Sequence, residues 1–169
     1  MLTAVKNKVV DYYSLTKPGV MSLLLFTTFT AMMIAAGGMP SWRLAFFTLV
    51  GGALASASSA AINMWFDRDI DAQMKRTKTR PIPSGRVAPH NALAFGIVLG
   101  AVAFAELSLA VNLLAAALSG AGILYYVFIY TVWLKRTSPQ NIVIGGAAGS
   151  VPPLVGWAAV TGHVGLTAL

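Results

Sequence analysis

No cysteine occurs among the 169 residues, so disulfides, thiolate chemistry and cysteine-ligated zinc or iron–sulfur sites are excluded. Charge is nearly as scarce: 10% of residues carry it, where a soluble domain has about 25%. Acid is scarcest, with five carboxylates, Asp11, Asp67, Asp69, Asp71 and Glu106. The chain has no internal repeat, low-complexity tract or soluble domain. What fills it is apolar, 57% hydrophobic with a mean hydropathy of +0.73, and it reads as an integral membrane protein. On a soluble protein the net charge of +7 would suggest nucleic acid; here sorting of basic residues to one membrane side is the commoner cause, and no nucleic acid is expected.

Five apolar runs reach the roughly 20 residues that ~30 Å of hydrocarbon requires. They cover about 19–38, 44–66, 91–110, 113–134 and 141–161. The first is too long for a signal-peptide core and reads as a retained span. Unpaired backbone is not tolerated in lipid, and runs this long do not resemble alternating barrel strands. The expected fold is therefore all-α, a polytopic membrane helix bundle. Residues 1–17 form a polar lead, and Pro18 suits the first turn of a helix. Gly51 to Ala61 is built almost wholly of small residues, which predicts a span packed inside the bundle. Gly145, Gly146, Gly149, Pro152 and Pro153 predict a kinked fifth span. Residues 67–90 read as a polar loop, stiffened by Arg80-Pro-Ile-Pro83-Ser-Gly85-Arg86.

Lys6, Lys8, Lys17, Arg68, Lys75, Arg76, Lys78, Arg80, Arg86, Lys135 and Arg136 all fall on one side of these spans, and Arg43 alone on the other. The bias places the N-terminus in the bacterial cytoplasm, or in the matrix for a mitochondrial inner-membrane protein. The tail from Val164 to Leu169 reads like the start of a sixth apolar span, so residues 1–169 are expected to be the N-terminal part of a single longer domain.

Three of the five acids sit in Asn63-Met-Trp-Phe-Asp67-Arg-Asp69-Ile-Asp71. On a helix, Asn63, Asp67 and Asp71 drift by only about 40° per step of four and share one face. Asp67 and Asp71 are then roughly 6 Å apart in rise, within reach of one hard cation, while Asp69 points elsewhere. Magnesium is usually held by one or two carboxylates together with substrate phosphates, and Arg or Lys takes the remaining phosphate charge. Lys17, Arg80, Lys135 and Arg136 are candidate diphosphate ligands on this reading, and ordinary topology charges on the plainer one. Arg68, Lys75 and Lys78 suit lipid headgroups better. Tyr125, Tyr126 and Tyr130 suit either a pocket wall for an allylic cation or bundle packing. His90 follows Pro89 at a helix start, a capping or loop position more than a haem ligand, and His163 lies on the opposite side.

The Asn63-x-x-x-Asp67-x-x-x-Asp71 pattern resembles the first acidic motif of the UbiA-type intramembrane prenyltransferases. Leu15-Thr-Lys-Pro-Gly-Val-Met-Ser22, Arg76-Thr-Lys-Thr-Arg80-Pro and the stretch from Tyr130 through Lys135-Arg-Thr-Ser-Pro139 to Gly162 are most similar to the haem-farnesylating branch of that superfamily. The resemblance implies about nine spans, two facing acidic motifs, and Mg²⁺-dependent transfer of a farnesyl group from farnesyl diphosphate to a vinyl group of haem b, giving haem O. It implies Asn63, Asp67 and Asp71 as metal ligands, with Asp67 and Asp71 as the catalytic carboxylates. The acceptor site is unassigned. Membrane lipid is the surrounding medium, and association with haem A synthase or terminal oxidase assembly is a family expectation. Only the first motif is present, since Glu106 is the sole acid after Asp71. Two other readings stand beside this one: a sibling prenyltransferase with an aromatic quinone-precursor acceptor, and a non-enzymatic cation-binding channel or transporter subunit.

Overall fold

The computed structural model describes residues 2–168, with side chains from Asn7 onward; the side chain of Lys6 and the terminal Leu169 lie outside the described residues. Five helical stretches are long and apolar enough to cross a membrane: Pro18–Ala36, Trp42–Phe66, Pro89–Ala110, Leu113–Thr137 and Asn141–Thr161. The chain is a multi-pass integral membrane protein, and no strand occurs among the described residues.

A short helix α1 (Leu2–Leu15) leads into α2 (Pro18–Ala36), with Lys17 between them in the left-handed region at φ 49°. Pro18 opens α2, where its missing N–H is no loss. Gly37, at φ 63°, closes it by donating to Ile34 and lets Gly38 reach Met33. Ser41 caps α3 (Trp42–Phe66) by accepting from the Leu44 amide. Asp67 breaks the helix only briefly before α4 (Arg68–Gln73) continues it. Asn112 turns α5 (Pro89–Ala110) into α6 (Leu113–Leu124) in two residues. Its side-chain Oδ1 accepts from the Ala115 amide while its Nδ2 donates to the Ala158 carbonyl of the last span. The fourth span then winds as a π-helix over Tyr125–Leu134 and ends in α7 (Lys135–Thr137). The fifth span is broken as expected: α8 (Asn141–Gly146), a 3₁₀ turn over Ala147–Ser150, then α9 (Val151–Thr161).

The second span is the interior one, as its small residues predict. In α3, 44% of the most apolar window is buried, against 11–22% for the other four spans. Small residues let backbones approach. A Cβ at Gly96 would lie 2.7 Å from Ile62, and one at Gly156 would run into the Thr28 carbonyl of α2. Two apolar layers result. At the acid-bearing end, Leu15, Ala61, Met64, Ile82, Val87 and Ala92 pack together; at the far end Met32, Ala45, Ala115, Val155 and Ala159 do. A cavity of about 310 Å³ lies within the bundle, reaching from Lys17 to Thr28 and Val155.

Residues 67–90 are less of a loop than their polarity suggests. They begin as α4, and Thr77, Pro81, Ile82 and Val87 are buried against the bundle end. Within the Arg80-Pro-Ile-Pro segment, Pro81 and Ile82 are thus packed inside.

Candidate active site

The α3–α4 break leaves the motif's helical spacing intact. The Asp67 amide donates to the Asn63 carbonyl at 2.9 Å, and the Asp71 amide to the Asp67 carbonyl at 2.8 Å. Asn63, Asp67 and Asp71 share a buried face, 3%, 1% and 4% exposed. Asp69 stands outside it, as the helix geometry requires.

Buried carboxylates persist only where cations or donors meet them. Lys135 of α7 binds Asp67 Oδ2, which also accepts from Asn63 Nδ2 at 2.8 Å. Arg80 Nη1 binds Asp71 Oδ2 at 2.6 Å. Lys17 Nζ donates to Asn63 Oδ1 at 2.6 Å. Three cations from three separate segments thus converge on two carboxylates and an amide. The Lys17 ammonium is pulled down to about 8, first by burial, then by the neighbouring charges of Arg80 and Lys135, against the opposing pull of Asp67 and Asp71. Lys17 and Tyr126 also line the apolar cavity, so the charged cluster opens directly into it.

Arg136 does not join them. It grips Asp69 through two nitrogens at 2.8 and 3.0 Å, donates to the Phe66 carbonyl, and stacks over the Phe66 ring. That guanidinium holds the exposed Asp69 carboxyl below its usual range. Tyr125 is also directed elsewhere, donating to the Ile144 carbonyl. Tyr130 packs its ring on Gly145 and against Tyr126. His90 lies in the first turn of α5, exposed; His163 is in the far-end turn after α9.

Residues 24–169 match the model of the UbiA prenyltransferase family. The chain belongs to that family. The matched UbiA region contains every candidate residue except Lys17. Among its relatives are proteins named protoheme IX farnesyltransferase. Those of Roseiflexus castenholzii and Symbiobacterium thermophilum are each 58% identical, over 94% and 91% of this chain. That of Acidiphilium cryptum is 54% identical over 92% of it. The chain spans 30%, 51% and 49% of these relatives' lengths, respectively. No solved structure matches the chain.

Does the UbiA motif fit a divalent cation? Among the described residues no three His, Cys, Asp or Glu side chains form a self-sufficient cage. Magnesium, which completes its shell with water and phosphate, does not need one. Asp67 Oδ1 is buried with no hydrogen-bond partner among the described residues. An orphaned carboxylate oxygen is costly, and a hard cation is the partner its chemistry suits.

Two further residues serve the cluster without having stood out in the sequence. Thr131, fully buried, accepts from Asn63 Nδ2 at 3.2 Å. Thr77 donates to the Asp71 carbonyl at 3.0 Å. A lone threonine four residues before Lys135 in an apolar span was the available signal for Thr131; Thr77 had none.

Proposed function

We propose that this chain builds the diphosphate-binding part of a site that transfers a farnesyl group from farnesyl diphosphate to a vinyl group of protohaem IX. The observation carrying it is the joining of an Asn63–Asp67–Asp71 cluster, matched by three cations, to a half-open apolar cavity. The relatives' name supplies the acceptor.

Asp67, through its free Oδ1, together with Asp71 and the Asn63 carbonyl oxygen, would hold Mg²⁺. When bound, the ion supplies Lewis-acid neutralisation of the leaving diphosphate. Lys17, Arg80 and Lys135 leave their present partners for phosphate oxygens, so the charge released by breaking the farnesyl C–O bond is met by positioned donors. The electron pair departs with diphosphate. The farnesyl carbon bonds the terminal vinyl carbon of haem, and water adds to the inner one, yielding its extra proton to the released diphosphate, to give the hydroxyethylfarnesyl group. Tyr126 lines the cavity, where an aromatic ring favours allylic positive charge. The small residues Gly52, Ala55, Ser56 and Ser59 leave room for the tail. The one-sided excess of Lys and Arg supports a cytoplasmic, or matrix, face for this cluster.

The test uses membranes containing the protein, Mg²⁺, farnesyl diphosphate and haem b, with product followed by chromatography. A haem of greater hydrophobicity, released diphosphate and loss of both on chelation are expected. Asp67→Ala should lower turnover by roughly a hundredfold or more, as loss of a principal electrostatic group does. Product that depends on hydroxybenzoate in place of haem would move the site to the quinone-type acceptors. Undiminished turnover in Asp67→Ala would remove the ligand role.

A further inference from the structure

The π-helix in the fourth span sits where its winding decides which side chains meet the cluster. An α-helix turns about 100° per residue, so residues nine apart face opposite ways. Tyr126 and Lys135 are nine apart, yet Tyr126 lines the cavity and Lys135 binds Asp67. In a π-helix, with i→i+5 bonds and roughly 4.4 residues per turn, nine residues make two turns and return to within about 20°. The Lys135 amide indeed donates to the Tyr130 carbonyl, five residues back.

Thr131 carries a side-chain signature of the same winding. Helical threonines reach back to the carbonyl three or four residues earlier. Thr28, Thr30 and Thr48 do so here, bonding Leu24, Phe26 and Leu44. Thr131 instead donates to the Tyr126 carbonyl, five residues back, at 2.9 Å. The same oxygen accepts from Asn63 Nδ2. One buried hydroxyl therefore ties the π spacing to the amide of the acidic motif.

We propose that Thr131 is a positioning residue: its hydroxyl holds the fourth span in π register, and that register places Tyr126 and Lys135 together on the site. The functional meaning rests on the diphosphate reading above; the register itself does not. Without the hydroxyl, relaxation to α winding leaves Lys135 on Asp67 and turns Tyr126 from within about 20° of it to the opposite side of the helix, about 180° away, towards lipid.

The absence of cysteine makes this measurable. Tyr126→Cys and Lys135→Cys are made singly in the full chain, each with Thr131, Thr131→Val or Thr131→Ser. In lipid nanodiscs, a charged, water-soluble thiol reagent is timed at each position. Valine is expected to slow reaction at position 126 by roughly tenfold or more, because a charged reagent does not enter lipid, while position 135 keeps its rate. Serine, retaining the hydroxyl, should match threonine at both. Should the valine chain fail to purify as one species, Thr131→Ala replaces it. Equal rates at position 126 with and without the hydroxyl overturn the proposal, as does a serine chain that behaves like valine. Magnesium with inorganic pyrophosphate, added to the Tyr126→Cys chain that keeps Thr131 and Lys135, should shield position 126. Failure of that shielding alone would sink the diphosphate reading and leave the register result standing.

Discussion

Lys17 enters the site from a left-handed backbone, a conformation that costs a non-glycine residue roughly 1–3 kcal/mol and persists where surroundings enforce it. Its ammonium reaches Asn63, and burial beside Arg80 and Lys135 lowers its pKa to about 8 from 10.5. Between those two values the unfolded chain holds more protons than the folded one. This residue's contribution to stability therefore rises with pH across that window, and below about 8 the burial penalty is carried in full. An amine-directed reagent followed by peptide mapping should give Lys17 a labelling midpoint near 8 in the metal-free protein; a midpoint near 10.5 would show that the ammonium is solvated. Lys17 was legible as a charge at a helix start. Arg136, named beside it in expectation, stands apart from the cluster for a reason visible in the sequence. It follows Lys135 directly, and adjacent helical residues point about 100° apart, so the two do not reach one carboxylate. The same rule that set Asp69 apart from Asp67 pairs Arg136 with it.

The spans themselves were readable because hydropathy, Pro18, the Gly37-Gly38 stop and the small face of α3 all act locally. The π winding of Tyr125–Leu134 was not: its apolar and aromatic residues suit either winding, and the bonds that select one come from Thr131 and Asn63, which lie far apart in sequence. Buried Ile82 and Val87 were hidden likewise, since their burial needs α1, α3 and α5 already in place. Helix contacts made through glycine give a sharper expectation. A Cβ at Gly156 would strike the Thr28 backbone carbonyl, whereas one at Gly100 would lie 2.8 Å from the Ser58 hydroxyl. A side chain can be trimmed and a backbone cannot. Both Gly156→Ala and Gly100→Ala should lower thermal stability in detergent by about 1–3 kcal/mol, the usual range for overpacking. Adding Ser58→Ala should restore the Gly100 variant, and it also removes a buried hydroxyl that has no partner. Adding Met32→Ala should leave the Gly156 variant impaired, although Met32 lies 3.2 Å from the same added Cβ. Recovery by Met32→Ala would mean that α2 and α9 move apart more readily than their backbone contact indicates.

Across the whole molecule, charge and void are arranged end to end. Basic residues crowd one membrane face, the acidic motif is set just inside it, and the cavity runs on from Lys17 towards the far-end apolar layer. From Lys17 to Thr28 is eleven residues of helix, roughly 16 Å of rise, which makes position along α2 and α3 a measure of depth. Ser59 lies one helical turn from Asn63, near the charged mouth; Gly52 lies deep, opposite Leu25. An added Cβ at Gly52 would sit 3.4 Å from Leu25, so a larger side chain fits by filling the cavity without parting the helices. If the tail of the diphosphate occupies this space, Gly52→Leu should discriminate by length. Turnover of geranyl diphosphate should survive, while kcat/KM for farnesyl diphosphate falls by roughly tenfold or more, the scale on which hydrophobic pockets sort substrates by methylene groups. Ser59→Leu, blocking the mouth, should depress both substrates alike. Equal losses for the two substrates in Gly52→Leu would place the tail outside this cavity, even with the acidic cluster still gripping the diphosphate.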